Sequence, residues 1–306
     1  MKKIKLLIDT DIGADIDDAL AIALAAKTDC VEIIGITTVF HNTAERARLA
    51  KKLLSYTGIS VPVYAGSKDT LAKELDGEAH TMMYEPDLER PEFTPESEDK
   101  SGKAAVKFIL DCAQRYQNEL AILAIGPLTN IARAIQDSPD TMKKISKIVL
   151  MGGAFFAPRP EWNIFCDPEA AKIVFESGLS VYCVGTDVTI PTRLGYDETL
   201  KVMSFDEDSL RGYLSKMAKT WMDIRKFGIT LHDPLALYAI THPQVLHFVP
   251  QRVKVETKGE VTRGWTVNLE LSGLYPKNLG SIVFVAKSVD ENAVKKDLLK
   301  RLFDIG

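Results

Sequence analysis

The densest chemistry in the chain follows its first apolar run, Ile4–Ile8, where Asp9-Thr-Asp11-Ile-Gly13-Ala-Asp15-Ile-Asp17-Asp18 places five carboxylates within ten residues. Two unit charges ~4 Å apart repel by roughly 4 kcal/mol at an effective dielectric near 20, so acids that converge on one turn need a cation or must take up protons. At neutral pH a bound cation is the simpler solution. Oxygen donors without neighbouring Cys or clustered His favour Ca2+ or Mg2+, and many carboxylates at loose spacing favour Ca2+. Gly13 lets the backbone bend tightly around such an ion. A plainer use exists for part of the motif: Asp17 and Asp18 open the helical run Ala19–Ala26, where the helix dipole favours acids whether or not they do chemistry. Five acids in one turn exceed what a helix start needs. An EF-hand is excluded, because counting from Asp9 puts Ala14 where its turn glycine should be and Leu20 where its bidentate acid should be.

The elements that must position this turn are legible in the hydrophobic pattern. Short runs rich in Ile, Val and Leu alternate with longer segments of helical period, as in strands buried on both faces by crossover helices. The expected fold is therefore α/β: a mainly parallel open sheet with helices on both faces. Ile4–Ile8, Ile33–Val39, Leu120–Ile125, Ile145–Met151 and Val181–Val184 read as strands, and Ala44–Tyr56, Lys103–Tyr116, Asn130–Gln136 and Glu169–Glu176 as helices. Beyond Asp197 a helix is expected through Lys216–Arg225. After Pro250, alternation in Arg252-Val-Lys-Val-Glu-Thr257 and Val261–Leu271 predicts a small antiparallel addition near the C-terminus, and Ser281–Ala286 with an amphipathic helix over Glu291–Phe303 closes one domain spanning 1–306. Lys68–Lys100, dense in Glu, Asp and Pro and longer than an ordinary connection, reads as a surface excursion or lid. Open sheets of this kind bind ligands beyond the carboxyl ends of their strands.

Composition narrows the partners. Apolar residues make up 46% and charged residues 26%, which leaves room for a sizeable core and argues against a disordered chain. A formal net charge of −4 with no clustered Lys and Arg gives no field for a phosphate backbone, so nucleic acid is not expected as a partner. The first apolar run is too short for a membrane span or signal-peptide core, so a cytoplasmic protein without membrane partners is expected. Cys30, Cys112, Cys166 and Cys183 are far apart and are expected to be reduced and mostly buried.

Asp9–Asp18 is followed in order by Thr37-Thr-Val39-Phe-His-Asn42, Gly126-Pro-Leu-Thr-Asn130, Met151-Gly-Gly153, Glu161-Trp-Asn163 with Asp167-Pro168, and His232-Asp233-Pro234. Together these motifs resemble the nucleoside hydrolase family over nearly the whole chain. The resemblance implies one Ca2+ that holds the ribose 2′- and 3′-hydroxyls and the attacking water, a small-molecule ribonucleoside substrate, hydrolysis of its N-glycosidic bond to free base and ribose, and a homodimer or homotetramer. Matched motif to motif, Asp11 would ligate the metal and take the water's proton, and Asp18, Asp233 and the backbone carbonyl of Ile125 would complete the ligands. Asp17 would accept the 2′-hydroxyl. The family's simplest motif has two residues fewer before its Asp pair, so Asp15 could take the role given to Asp17 or join the metal. Asn42, Glu161 and Asn163 would bind ribose hydroxyls, for which paired donors and acceptors are suited. His232 would protonate the leaving base.

Each motif also has a structural reading. Asp233-Pro234 is an ideal N-cap and N1 pair for a helix over Leu235–Ile240, Asn42 could cap the helix after it, and Asp167-Pro168 is read as a cap only. Trp162, Trp221, Tyr84 and Phe227 are read as core residues. In two places the chain departs from the family: no asparagine suited to a 5′-hydroxyl occurs in the short stretch Ala154–Pro160, and the family's His-Gly segment is missing, with only His80 nearby. Two other functions share some of these features. A Mg2+-dependent phosphatase resembling the haloacid dehalogenases would use Asp9 as nucleophile, although Gly13 stands where those enzymes have Thr or Val. A noncatalytic calcium-dependent ribose- or nucleoside-binding protein would keep the ligands without the chemistry.

Overall fold

Along the first strand, Leu6 and Ile8 pack into the core on one face of the sheet while Leu7 packs into the core on the other, and all three are fully buried. The same division recurs in the fourth and fifth strands, where Leu123 and Val149 face one core and Ile122 and Ile148 the other. A period of two with both faces apolar is what a sheet covered by helices on each side requires. The computed structural model describes residues 2–72, 86–157, 159–225 and 228–306. Its strands are β1 (Ile4–Thr10), β2 (Val31–Thr38), β3 (Val63–Ala65), β4 (Leu120–Ala124), β5 (Lys147–Met151), β6 (Val181–Val184), β7 (Leu246–Val255), β8 (Thr266–Asn268) and β9 (Ser281–Val289). They form one nine-stranded sheet of order β3-β2-β1-β4-β5-β6-β9-β7-β8. Neighbours from β3 to β9 pair in parallel, and β7 pairs antiparallel with both β9 and β8.

The helices are α1 (Asp17–Ala26), α2 (Thr43–Ser55), α3 (Lys103–Tyr116), α4 (Thr129–Asp137), α5 (Pro139–Met142), α6 (Trp162–Cys166), α7 (Pro168–Glu176), α8 (Thr186–Thr189), α9 (Tyr196–Val202), α10 (Leu210–Arg225), α11 (His232–Thr241) and α12 (Glu291–Phe303). Two of them lack a polar face: α1 is buried from Asp17 to Ala25 and α11 from Asp233 to Ile240. A helix that is apolar all round belongs inside, and these two pack in one core. Both start at the same end of the sheet. Strand order reverses direction at β1, with β2 on one side and β4 on the other, so a crevice opens beyond the carboxyl ends of these strands.

The α/β class and the antiparallel C-terminal addition are as expected, and several boundaries move. β4 stops at Ala124, leaving Ile125 in the following turn, and β5 starts at Lys147 instead of Ile145. β7 begins at Leu246 and runs through Pro250, which sits opposite Phe284 in the β9 pairing, whereas only Thr266–Asn268 of the expected Val261–Leu271 strand is paired. α11 begins at His232 with Leu231 as its cap, so Asp233 lies in the first turn and does not cap it. Cys112, Cys166 and Cys183 are buried free thiols and Cys30 is exposed. Among the described residues no helix is long and apolar enough to cross a membrane. His80, Tyr84 and Phe227 lie outside the described residues.

Because α11 carries the site at one end and is enclosed along its length, Leu237→Ala is expected to lower the free energy of unfolding by ~2–5 kcal/mol, read as a shift in the urea midpoint at unchanged slope.

Candidate active site

β1 delivers the acidic turn to the crevice and its neighbours lock it there. The Asp9 carboxylate accepts hydrogen bonds from Thr37 on β2 and, at 2.8 Å, from Asn130 Nδ2 on α4. Thr10 donates its hydroxyl to Asp18, and the same oxygen accepts the Ile12 N–H at 3.1 Å. Gly13 takes a φ of 107°, a left-handed geometry that glycine adopts without strain. Gly126, just past β4, has no room for a side chain: a Cβ there would stand 3.0 Å from the Asp11 N and 2.8 Å from a Val39 methyl. The turn is clamped from α2 by Arg46, which is 1% exposed and donates to the carbonyls of Asp11, Ile12 and Phe40. Phe40 and His41 both have positive φ, and the bond from Arg46 to Phe40 helps hold that bend.

Asp17 and Asp18 in the first turn of α1 meet Asp233 in the first turn of α11. One oxygen from each lies within 4.8 Å of the others, and all three residues are buried. The Asp233 N–H donates to Asp17 Oδ2 at 3.3 Å, while Asp233 Oδ1 is buried without a hydrogen-bond partner. Burial and then the charges of the neighbouring aspartates hold Asp17, Asp18 and Asp233 well above the usual carboxylate range. Burial also raises Asp11, against the opposing charge of Arg46. Three carboxylates that disfavour each other's charge, with an orphaned oxygen among them, are a donor set suited to a divalent cation. Two helix N-termini aimed at the same point favour the anionic carboxylates further.

A cavity of about 430 Å3 opens over this trio, and Asp11, Asp15, Ile125, Glu161, Asn163 and His232 also line it. Asn163 Nδ2 donates to the carbonyls of Met151 (3.1 Å) and Ile125 (3.3 Å), which fixes its amide across the ends of β4 and β5. Glu161 caps α6 by accepting the N–H groups of Asn163 and Ile164, and it accepts Gly153 N at 2.9 Å. Burial raises its pKa. His232 is held through Nδ1 by the Thr189 hydroxyl at 2.7 Å, and burial, followed by the charge of Arg159, pushes its pKa down to about 4. At neutral pH the ring is therefore neutral, unlike the histidine poised near neutrality that the sequence suggests.

The remaining sequence candidates fall in different places. Asn42 precedes α2, is exposed, caps nothing with its side chain and is not part of the cavity wall. Asp17, assigned by resemblance to the 2′-hydroxyl, falls inside the carboxylate trio, and Asp15 is half-buried on the cavity wall. Trp221 is buried and Trp162 is 39% exposed, and both line the cavity, so Trp162 is not a core residue. Asp167 does more than cap α7: it accepts Ala170 N, Thr129 Oγ1 at 2.6 Å and Leu71 N at 2.9 Å, tying the start of the 68–100 excursion to two helices. That excursion also folds back on α2 through Arg48, which bonds the Leu88 carbonyl and pairs with Glu98. Asp9 is fully buried, saturated on one oxygen and absent from the cavity wall, a poor place for the phosphatase nucleophile. Sequence reasoning missed Arg46, Thr10, Thr189 and Arg159. Only the helical period of α2, which turns Arg46 inward with Ala47 and Leu49, carries a hint of any of them.

Residues 6–296 match the family model described as inosine-uridine preferring nucleoside hydrolase. Uridine nucleosidase 1 of Arabidopsis thaliana is 37% identical over 268 residues, covering 83% of this chain and 79% of that protein. Among solved structures, a plant nucleoside hydrolase superposes with a TM-score of 0.79 at 28% identity, covering 97% of this chain and 98% of the other. A purine-preferring ribonucleoside hydrolase from Gardnerella vaginalis gives a TM-score of 0.75 at 29% identity with the same coverage.

Arg46 is the buried positive charge beside Asp11 and Asp18 and the bridge between two turns, so Arg46→Met is expected to cost roughly 3–5 kcal/mol of stability in chelator-treated protein, measured by urea denaturation. A midpoint equal to wild type would show that the clamp is dispensable.

Proposed function

Since the chain belongs to the inosine-uridine preferring nucleoside hydrolase family and is an N-ribohydrolase acting on ribonucleosides, we propose that its aspartate cluster works with Ca2+. The observation that carries this reading is the meeting of buried Asp18 with Asp233, whose Oδ1 is orphaned, in the floor of the cavity, with Asp17 beside them and Asp11 on the same cavity wall. Asp11, Asp18, Asp233 and the Ile125 carbonyl are the ligands in this reading, with Asp15, on the same cavity wall, as the candidate for a further one. Among the described residues, Ile125 O accepts a long bond from Asn163, and a carbonyl has a second lone pair to offer. An all-oxygen set rich in carboxylates favours Ca2+ over softer metals. When bound, Ca2+ supplies a template for the vicinal ribose hydroxyls and makes a water easier to deprotonate.

The protein's own groups do the rest. Asp11, fixed by the turn around Gly13, accepts the proton of the attacking water as its oxygen bonds to the anomeric carbon. Asp17 accepts the 2′-hydroxyl with its Oδ1, its other oxygen being held by the Asp233 N–H. Glu161 spends three acceptor sites on backbone N–H groups and keeps capacity for a ribose hydroxyl. Cleavage builds positive charge on the ribose ring, and a floor of carboxylates favours that charge more than it favours the neutral substrate. Neutral His232 contributes its ring N–H to the leaving base as a hydrogen-bond donor.

The test is free-ribose release from a panel of purine and pyrimidine ribonucleosides, with added Ca2+ and after chelation. Chelator-sensitive release restored by Ca2+ is expected; release unaffected by chelation would refute the metal requirement. Asp11→Asn is expected to lower kcat by at least ~100-fold with an unchanged thermal midpoint, and near-normal turnover would remove Asp11 from the role of base.

A further inference from the structure

The cavity wall has one cationic side chain among the described residues, and neither the metal site nor the acid–base groups account for it. Among the described residues, Arg159 stands in a wall otherwise lined by acids, the Asn163 amide, the Thr186 hydroxyl, the His232 ring and apolar groups. Its Nη2 donates to the Thr186 carbonyl at 3.2 Å, its Nε is buried with no hydrogen-bond partner, and no carboxylate among the described residues pairs with it. A guanidinium is always charged and presents five donors, so a buried N–H without an acceptor beside a binding cavity is poised for a ligand oxygen.

The position of Arg159 is built into the fold. The short loop that carries it is closed at one end by Glu161, which accepts Gly153 N. Asp187, in α8, accepts the N–H groups of Phe155, Phe156 and Ala157 at 2.6, 3.0 and 3.1 Å, and Thr186 N bonds the Gly153 carbonyl at 2.8 Å. Arg159 bonds the Thr186 carbonyl and His232 the Thr189 hydroxyl, so both cavity-lining side chains are held against α8, whereas Arg46 is bound to the backbone of the acidic turn from α2.

Building on the proposed hydrolase reading, we propose that Arg159 binds the carbonyl oxygen next to the glycosidic nitrogen of a pyrimidine ribonucleoside and stabilises the base as it leaves. When the bond between C1′ and N1 breaks, its electron pair stays on N1 and spreads by conjugation onto O2. Water oxygen bonds to C1′ and gives its proton to Asp11, and the departed base takes a proton from solvent afterwards. A fixed guanidinium aimed at O2 interacts more strongly with the anion than with the neutral base, and so lowers the barrier.

The experiment compares Arg159→Ala and Arg159→Lys with wild type in the Ca2+-loaded enzyme on uridine, 5′-deoxyuridine and 4-nitrophenyl riboside, whose leaving group is a stable anion without assistance. For Arg159→Ala, kcat on uridine is expected to fall ~100-fold, equally on 5′-deoxyuridine, with KM little changed. Turnover of 4-nitrophenyl riboside should stay within roughly threefold of wild type, which also shows that the variant is folded. Arg159→Lys keeps the charge and should recover part of the loss. Equal losses on uridine and the nitrophenyl substrate would overturn the assignment, as would a loss that disappears on 5′-deoxyuridine, which would give Arg159 to the 5′-hydroxyl. A wild-type enzyme inactive on every riboside would overturn the hydrolase reading itself, an outcome distinct from either of those.

Discussion

Six carboxyl groups, those of Asp9, Asp11, Asp17, Asp18, Glu161 and Asp233, are buried at one end of this sheet, each 6% exposed or less. Desolvation disfavours their charged forms, and the aspartates of the turn and of α11 disfavour one another's charge in addition. Much of the surrounding structure can be understood as compensation. Two helices direct their N-termini at the group, Thr10 and Thr37 donate hydroxyls, Asn130 donates an amide, and Arg46 brings a full positive charge within a wholly buried network. What remains uncompensated, above all at Asp233 Oδ1, is where a cation fits.

Holding such a cluster together demands rigidity in what surrounds it. The parallel strands β1, β4 and β5 end side by side, and their turns are tied laterally by side chains: Asp9 joins β1 to β2 and α4, and Asn163 joins the ends of β4 and β5. Helices α1 and α11, enclosed along their lengths, cannot tilt without opening the core. The carboxylates thus sit on elements that are enclosed by the core and tied to their neighbours, as a site that must keep like charges close requires.

Arg159 and Pro160 bring a loop to the cavity wall beside residues of α6, α8 and α10. Residues 153–157 are pinned by hydrogen bonds to Asp187 of α8 and to Glu161, and the excursion beginning near Lys68 is anchored by Asp167. The carboxylate cluster thus rests on the sheet and the two buried helices, while Arg159 is carried by a loop, a kind of segment whose length and composition can change without disturbing the core. The missing 5′ asparagine and the arginine at position 159 both fall in such a segment.

Periodicity was enough to determine the fold class. Strands buried on both faces and helices of helical period each reflect local constraints on a few consecutive residues, which is why β6, α3 and α12 lie where the pattern puts them, and why β1 begins where expected although it runs on through Asp9 to Thr10. The aspartate turn was equally legible, since five acids close in sequence must be close in space. Other features depended on contacts between residues far apart in the chain. That Asp233 meets Asp17, 216 residues earlier, follows from α1 and α11 starting at one end of the sheet. That Arg46 faces three carbonyls instead of solvent follows from the bend at Phe40 and His41. Whether Asp233 caps a helix or joins a cluster, and whether His232 is charged, depends on burial, and burial is set only when distant segments close over a residue and exclude water.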